Sequence, residues 1–193
     1  MIAPDKMTVD EFLHWDDGTD MRYQLIRGVP VAIAVPGAAH SLLLAALAAE
    51  LHSALRPPTR HTLYGPLAIV PRMVAHTCYI ADLAVSSEPL RAKDAALRDP
   101  LLLVEVLSSA SEAFDRGTKL TDYRDISSVQ EILLIHSEIA FAEIHRRDRD
   151  RWNSNQVAGA DKELDLGSVG VTLTMAKLYE GVPLDGQMQR SPA

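Results

Sequence analysis

LLLVEVLSSASEAFDRGTKLTDYR, from Leu101 to Arg124, places one carboxylate, Glu105, inside an apolar run and follows it with a polar stretch carrying a single lysine, Lys119. The run LLLVEVL is compact and apolar enough for a central strand buried on both faces. An ionised carboxylate taken out of water is costly unless it is paired, strongly hydrogen-bonded or bound to metal, or else it takes up a proton. Something near Glu105 must therefore compensate it. The segment from Ser111 to about Ile126 reads as a helix, with Ser108, Ser109 or Ser111 available as its cap, and QEILLIH (Gln130 to His136) as the next strand.

Upstream, Thr8 and Glu11 form an S/T-x-x-E capping box, so a short helix starts at Thr8 and ends before Asp16-Asp17-Gly18. RYQLI and VPVAIAV flank Arg27-Gly28, the pattern of a hairpin with a glycine turn, and Pro30 favours an edge or a strand start. A long helix runs from about Ala38 to Leu55 and is ended by Pro57-Pro58. HTLY, LAIVP and YIADLAV follow as three extended segments separated by Gly65-Pro66 and a loop near Arg72 to Thr77, and they read as a meander. After a charged loop from Ser87 to Pro100 and the central block come the strands QEILLIH, AFAEIHRR and RWNSNQV. A short helix near Thr174 to Tyr179 and a loose tail from about residue 183 complete the chain. This order implies an α/β fold with a mixed sheet.

At 193 residues the chain fits one domain with a core that needs no disulfide or structural metal. The lone Cys78 cannot form an internal disulfide and reads as a core or edge thiol. MIAPDKMTVDEF lacks the basic patch and apolar run of a secretory signal, so a cytoplasmic location is expected. His40, Glu50 and His52 interrupt the longest apolar stretch, which makes it a poor membrane span and a good core-packing helix. The net charge of −7 gives no global attraction to a polyanion, although a local patch could still act. HRRDRDRW (His145 to Trp152) carries four arginines against two aspartates and reads as a solvated hairpin tip.

Asp82 in YIADLAV is the second carboxylate within a strand-like apolar run. Alternation puts Glu105 on the face of Leu103 and Leu107, and Asp82 on the face of Ile80 and Ala84. If the two strands are neighbours the acids converge, and a shared cation relieves their repulsion; Mg²⁺ accepts one or two protein carboxylates in this way. Lys119 reads either as an amine that reaches these acids or as the exposed i, i+4 partner of Asp115. His40, at the start of the long helix, reads as a phosphate contact or as a capping or packed histidine. Among the familiar motifs, the sequence has no G-x-S-x-G, G-x-x-x-x-G-K-[ST], C-x-x-C or H-E-x-x-H.

In order along about the first 145 residues, MTVDEFLHW, YQLIRG, HSLLLAALAAEL, ADLAV, LLLVEVLSSASEAFDRGTKLTDYR and VQEILLI resemble the Uma-type restriction endonuclease family of the PD-(D/E)xK nuclease superfamily. The resemblance implies a restriction endonuclease-like fold: a mixed central β-sheet with flanking helices and an N-terminal β-hairpin. It implies a nuclease in which Asp82 and Glu105 hold Mg²⁺ or Mn²⁺ and Lys119, displaced to the helix from the strand position of Leu107, acts on the attacking water. DNA is the implied substrate, with His40, Arg116 and Arg124 as candidate substrate contacts. A homodimer fits two-strand cutting. Gln24 stands where the family has a glutamate near the metal, so it could ligate through its amide oxygen without the charge. The second reading that follows from Gln24 is a weakened nuclease fold serving as a binding or assembly module.

Overall fold

The computed structural model describes residues 6–55, 61–71, 76–88 and 90–184. Helix α1 (Val9–Leu13) opens on the Thr8 capping box, both halves of which are formed. Strands β1 (Tyr23–Ile26) and β2 (Val29–Ala32) make an antiparallel hairpin around Arg27 and Gly28, both with positive φ. A side chain at Gly28 would bring its Cβ within 2.5 Å of the Lys6 Cβ, so glycine is needed there for both conformation and space. Helix α2 (Ala38–Ala54) follows, then β3 (Thr62–Tyr64), β4 (Leu67–Ile69), β5 (Tyr79–Ala81), β6 (Leu83–Ser86), β7 (Ala96–Leu97) and β8 (Leu102–Leu107).

The next helical segment has three parts: α3 (Glu112–Phe114), a π-helical turn over Asp115–Lys119, and α4 (Leu120–Arg124). Strands β9 (Glu131–His136), β10 (Phe141–Asp148), β11 (Arg151–Ala158), β12 (Glu163–Leu166) and β13 (Val171–Thr174) precede α5 (Met175–Leu178). Pro57-Pro58, residues 72–75 of the loop after β4, and the tail beyond Leu184 lie outside the described residues. Among the described residues no helix is long and apolar enough to cross a membrane.

Six strands form the main sheet in the order β11-β10-β9-β8-β6-β3. The β8–β9 pair is parallel and the others are antiparallel, so the central sheet is mixed. Helical residues 112–124 supply the crossover that a parallel β8–β9 pair requires. HTLY, LAIVP and YIADLAV do not form the expected meander. β3 pairs with β6 in the main sheet, while β4 pairs with β5 and, in parallel, with β7, a short strand inside the loop from Ser87 to Pro100.

Strand alternation divides the core into two layers. Leu102, Val104 and Val106 of β8, with Leu133 and Ile135 of β9, pack against Leu43, Leu47 and Leu51 of α2 and against the β12–β13 hairpin. Leu103, Leu107, Ile132 and Leu134 face the other way, onto Leu120, Tyr123 and Ile126 and onto Tyr79 of β5. Glu105 shares this second face, and the helix carrying Lys119 covers it.

Another buried carboxylate pins the β12–β13 hairpin to the main sheet. Glu131 of β9 is fully buried and accepts from Arg146 Nε at 2.6 Å, from Ser168 Oγ at 2.8 Å and from the Ser168 N–H at 3.2 Å. Removing one member of a fully buried pair costs about 3–5 kcal/mol, and the 38% exposure of the Arg146 side chain softens that. Arg146→Ala is accordingly expected to lower the unfolding free energy by roughly 2–3 kcal/mol in urea titration, whereas Arg149→Ala at the exposed hairpin tip should leave it within about 0.5 kcal/mol.

Candidate active site

Asp82 lies where the chain leaves one sheet for another. YIADLAV, expected as one strand, is two: β5 ends at Ala81 and β6 begins at Leu83. The β6–β8 register sets Leu83 against Val104, so one further step sets Asp82 opposite Glu105. There the Val106 N–H donates to Asp82 Oδ2 at 2.8 Å, and the side chain extends the ladder in place of backbone. His40, in the first turn of α2, brings Nε2 to 3.3 Å from the same oxygen, while its buried Nδ1 has no partner among the described residues.

Glu105 is 3% exposed and both its oxygens are bonded. Lys119 Nζ donates to Oε2 at 2.7 Å, and the Tyr123 hydroxyl donates to Oε1 at 2.8 Å. Lys119 Nζ also donates to the Ile80 carbonyl at 2.9 Å and lies 3.5 Å from Asp115 Oδ1. The expected i, i+4 pair of Asp115 and Lys119 therefore exists, but it is buried rather than exposed, and the same ammonium reaches Glu105. Both members lie in the π-helical turn, a local underwinding that is frequent at functional sites.

The electrostatics follow from this packing. Burial pushes the Glu105 carboxyl up to about 8, against the opposing pull of the Lys119 ammonium and with Asp82 and Asp115 adding to the rise. Burial alone would lower Lys119, but Glu105 and Asp115 outweigh it and raise the ammonium above its ordinary range. Burial, then the charge of Glu105, raises the Tyr123 phenol well above its usual value. Three carboxyl groups, of Glu105, Asp115 and Asp82, thus surround one ammonium, and burial resists the charge of the first. An all-oxygen donor set suits a hard divalent cation. Among the described residues no three His, Cys, Asp or Glu side chains form a ready metal cage. Asp82 and Glu105 fit the Mg²⁺ habit of taking one or two carboxylates, with water and phosphate as the remaining ligands.

Gln24, Arg116 and Arg124, the remaining expected site residues, lie on β1, in the π-helical turn and in α4. Gln24 is half-buried on β1, opposite Val31, and its side chain makes no hydrogen bond among the described residues. Arg116 is engaged by Glu112 at 2.6 Å and by Glu143. Arg124 Nη2 is 2.9 Å from His145 Nδ1, and its guanidinium lies over the Trp152 ring. Arg147 donates to the carbonyls of Val129, Arg124 and Ile126 at 2.7, 2.7 and 2.8 Å, closing the C-terminal end of α4. A cavity of about 270 Å³ is lined by Arg22, Tyr23, Pro66 and Ile80, whose carbonyl receives Lys119. Asp115 and Tyr123 were not among the expected site residues. Their spacing from Lys119, four before and four after, is the signal that marks one helix face.

Comparison with known proteins bears on the family and the fold. The model of the Uma2 family, described as "Putative restriction endonuclease", matches residues 9–176. One uncharacterized Synechocystis protein is 26% identical over 180 residues, covering 92% of this chain and 93% of its own. A second Synechocystis protein is 24% identical over 163 residues, covering 83% and 92%. A crystal structure from Anabaena variabilis, described as "a putative nuclease belonging to DUF820", matches with a TM-score of 0.74 at 18% identity, over 91% of this chain and 99% of that one. That likeness shows a shared fold.

The raised Glu105 carboxyl has a consequence for the metal-free protein. Between the ordinary carboxylate range and about pH 8 the unfolded chain has released a proton that the folded chain keeps, so stability falls as pH rises through that window. Urea titrations at pH 5 and pH 8 in the presence of chelator should show this loss, and Glu105→Gln should flatten it.

Proposed function

The chain belongs to the Uma2 restriction endonuclease family and has a nuclease fold, and from that premise we propose that it hydrolyses DNA phosphodiester bonds with Mg²⁺ or Mn²⁺ held by Asp82 and Glu105. One observation carries the reading: Lys119, 14 residues after Glu105 and in another layer of the fold, delivers its ammonium to within 2.7 Å of the Glu105 carboxylate, beside the strand break that bears Asp82. A buried charge cluster of this kind is a poor source of stability compared with apolar packing, which favours a chemical use for it.

A divalent cation supplies Lewis acidity, polarising a phosphodiester oxygen and lowering the pKa of a water. The residues of the chain divide the remaining work. Asp82 is fixed by the Val106 N–H through Oδ2, while Oδ1 accepts no hydrogen bond among the described residues and is the oxygen available as a ligand. Lys119, kept charged by Glu105 and Asp115, orients the water and offsets the charge that develops on the phosphate. His40 stands beside Asp82 with a buried, unpartnered Nδ1, and a phosphate oxygen would meet it only after the side chain turns. Arg116 and Arg124 are already engaged with Glu112, Glu143 and His145, so their contribution is to hold the Lys119 helix on the sheet.

Titration calorimetry should show Mn²⁺ uptake by the wild type and its loss in Asp82→Ala. Nicking of supercoiled plasmid in Mn²⁺ should fall about a hundredfold or more in Lys119→Ala, and Gln24→Glu should tighten Mn²⁺ binding. No uptake at millimolar Mn²⁺, or cleavage that survives Asp82→Ala, would overturn the reading of Asp82 and Glu105 as the metal site. DNA binding without cleavage would favour the assembly-module alternative.

A further inference from the structure

One helix grips Glu105 through both oxygens, Lys119 Nζ on Oε2 and Tyr123 Oη on Oε1. Rotation about the terminal bond of a glutamate is broad, so a single donor leaves the plane of the carboxylate loosely set. Donors on both oxygens fix it. Tyr123 is itself held firmly: it is 1% exposed, and its ring meets Tyr79 edge-on at 5.7 Å between centroids. The neighbouring Asp122 accepts from the Tyr79 hydroxyl at 2.5 Å, a second buried phenol–carboxylate bond that joins the helix to β5 without touching Glu105.

We propose that Tyr123 is a positioning residue for Glu105, and that its hydroxyl sets the orientation in which this carboxylate serves with Asp82 as a ligand for a divalent cation. The proposal rests on the reading of Asp82 and Glu105 as the metal-holding pair. It goes beyond that reading by giving a role to a residue four positions past Lys119 that touches neither metal nor substrate. Hydrogen-bond partners of metal ligands characteristically affect affinity in this indirect way. If the phenol served packing alone, its loss would change stability and leave metal affinity as it was.

The test is Mn²⁺ titration calorimetry, with thermal melting, on the full chain as wild type, Tyr123→Phe and Tyr79→Phe. Each variant keeps the ring and deletes one buried hydroxyl. Tyr123→Phe should weaken Mn²⁺ binding by about tenfold or more. Tyr79→Phe should lower the melting temperature with Mn²⁺ affinity within about twofold of wild type. Unchanged affinity in Tyr123→Phe, or an equal loss in both variants, overturns the role of Tyr123 and leaves the proposed function standing. A wild type that takes up no Mn²⁺ overturns both. Should Tyr123→Phe fail to fold, ¹³C-tyrosine NMR of the wild type decides. The Tyr123 ring resonance should shift on Mg²⁺ addition with the midpoint of Mg²⁺ binding, and a resonance that does not move overturns the proposal.

Discussion

The contact between Glu105 and Lys119 constrains the rest of the molecule. A carboxyl at the centre of β8, on the face shared with Leu103 and Leu107, needs a strong partner there, and it holds its proton to about pH 8 even beside a cation. The cation comes from the next element in the chain, so that element must run back across the same face. The π-helical turn, the burial of Asp115 and the Tyr123 hydrogen bond all belong to this one solution. Lys119 donates to the Glu105 carboxyl and to the Ile80 carbonyl, and Asp115 lies 3.5 Å from the same ammonium. Such satisfaction keeps a buried pair from being ruinous, yet apolar side chains of similar volume would do as well for stability.

Much of this was legible in the residues themselves. Period-2 alternation was enough to put Glu105 on the face of Leu103 and Leu107, and the Thr8 capping box and the Arg27-Gly28 turn are local signals that nothing at longer range overrides. The failures are non-local. Nothing within YIADLAV marks a change of sheet at Asp82, because β5 and β6 are equally apolar and their partners, β4 and β8, lie far apart in sequence. The parallel β4–β7 pair is hidden for the same reason, with Ala96–Leu97 too short to show a period. The β12–β13 hairpin was missed although ELDL and VTLT alternate plainly. The arginines show a different limit, since a motif aligns residue types and leaves the direction of a side chain open. Arg116 and Arg124 turn toward the sheet and its partners there.

Those arginines also change the meaning of the acidic net charge. Arg116, Arg124, Arg146 and Arg147 are all consumed by carboxylates, carbonyls, a histidine or the Trp152 ring. Their positive charge is spent on partners within the fold, while Arg22, Arg27, Arg91, Arg98, Arg149 and Arg151 remain exposed. A count of basic residues therefore overstates what a polyanion would meet at the surface.

The guanidinium of Arg147 closes the end of α4 from within the β10–β11 hairpin, and only Asp148 to Arg151 extend past it. The hairpin thus has a root wired to the helix that bears Lys119 and a tip that is not. Peptide grafts, affinity tags or fusion partners inserted at Arg149-Asp150 would extend a solvated turn and leave the helix that bears Lys119 undisturbed. Lengthening the same hairpin three or four residues closer to its base would displace Arg147 and slacken that helix.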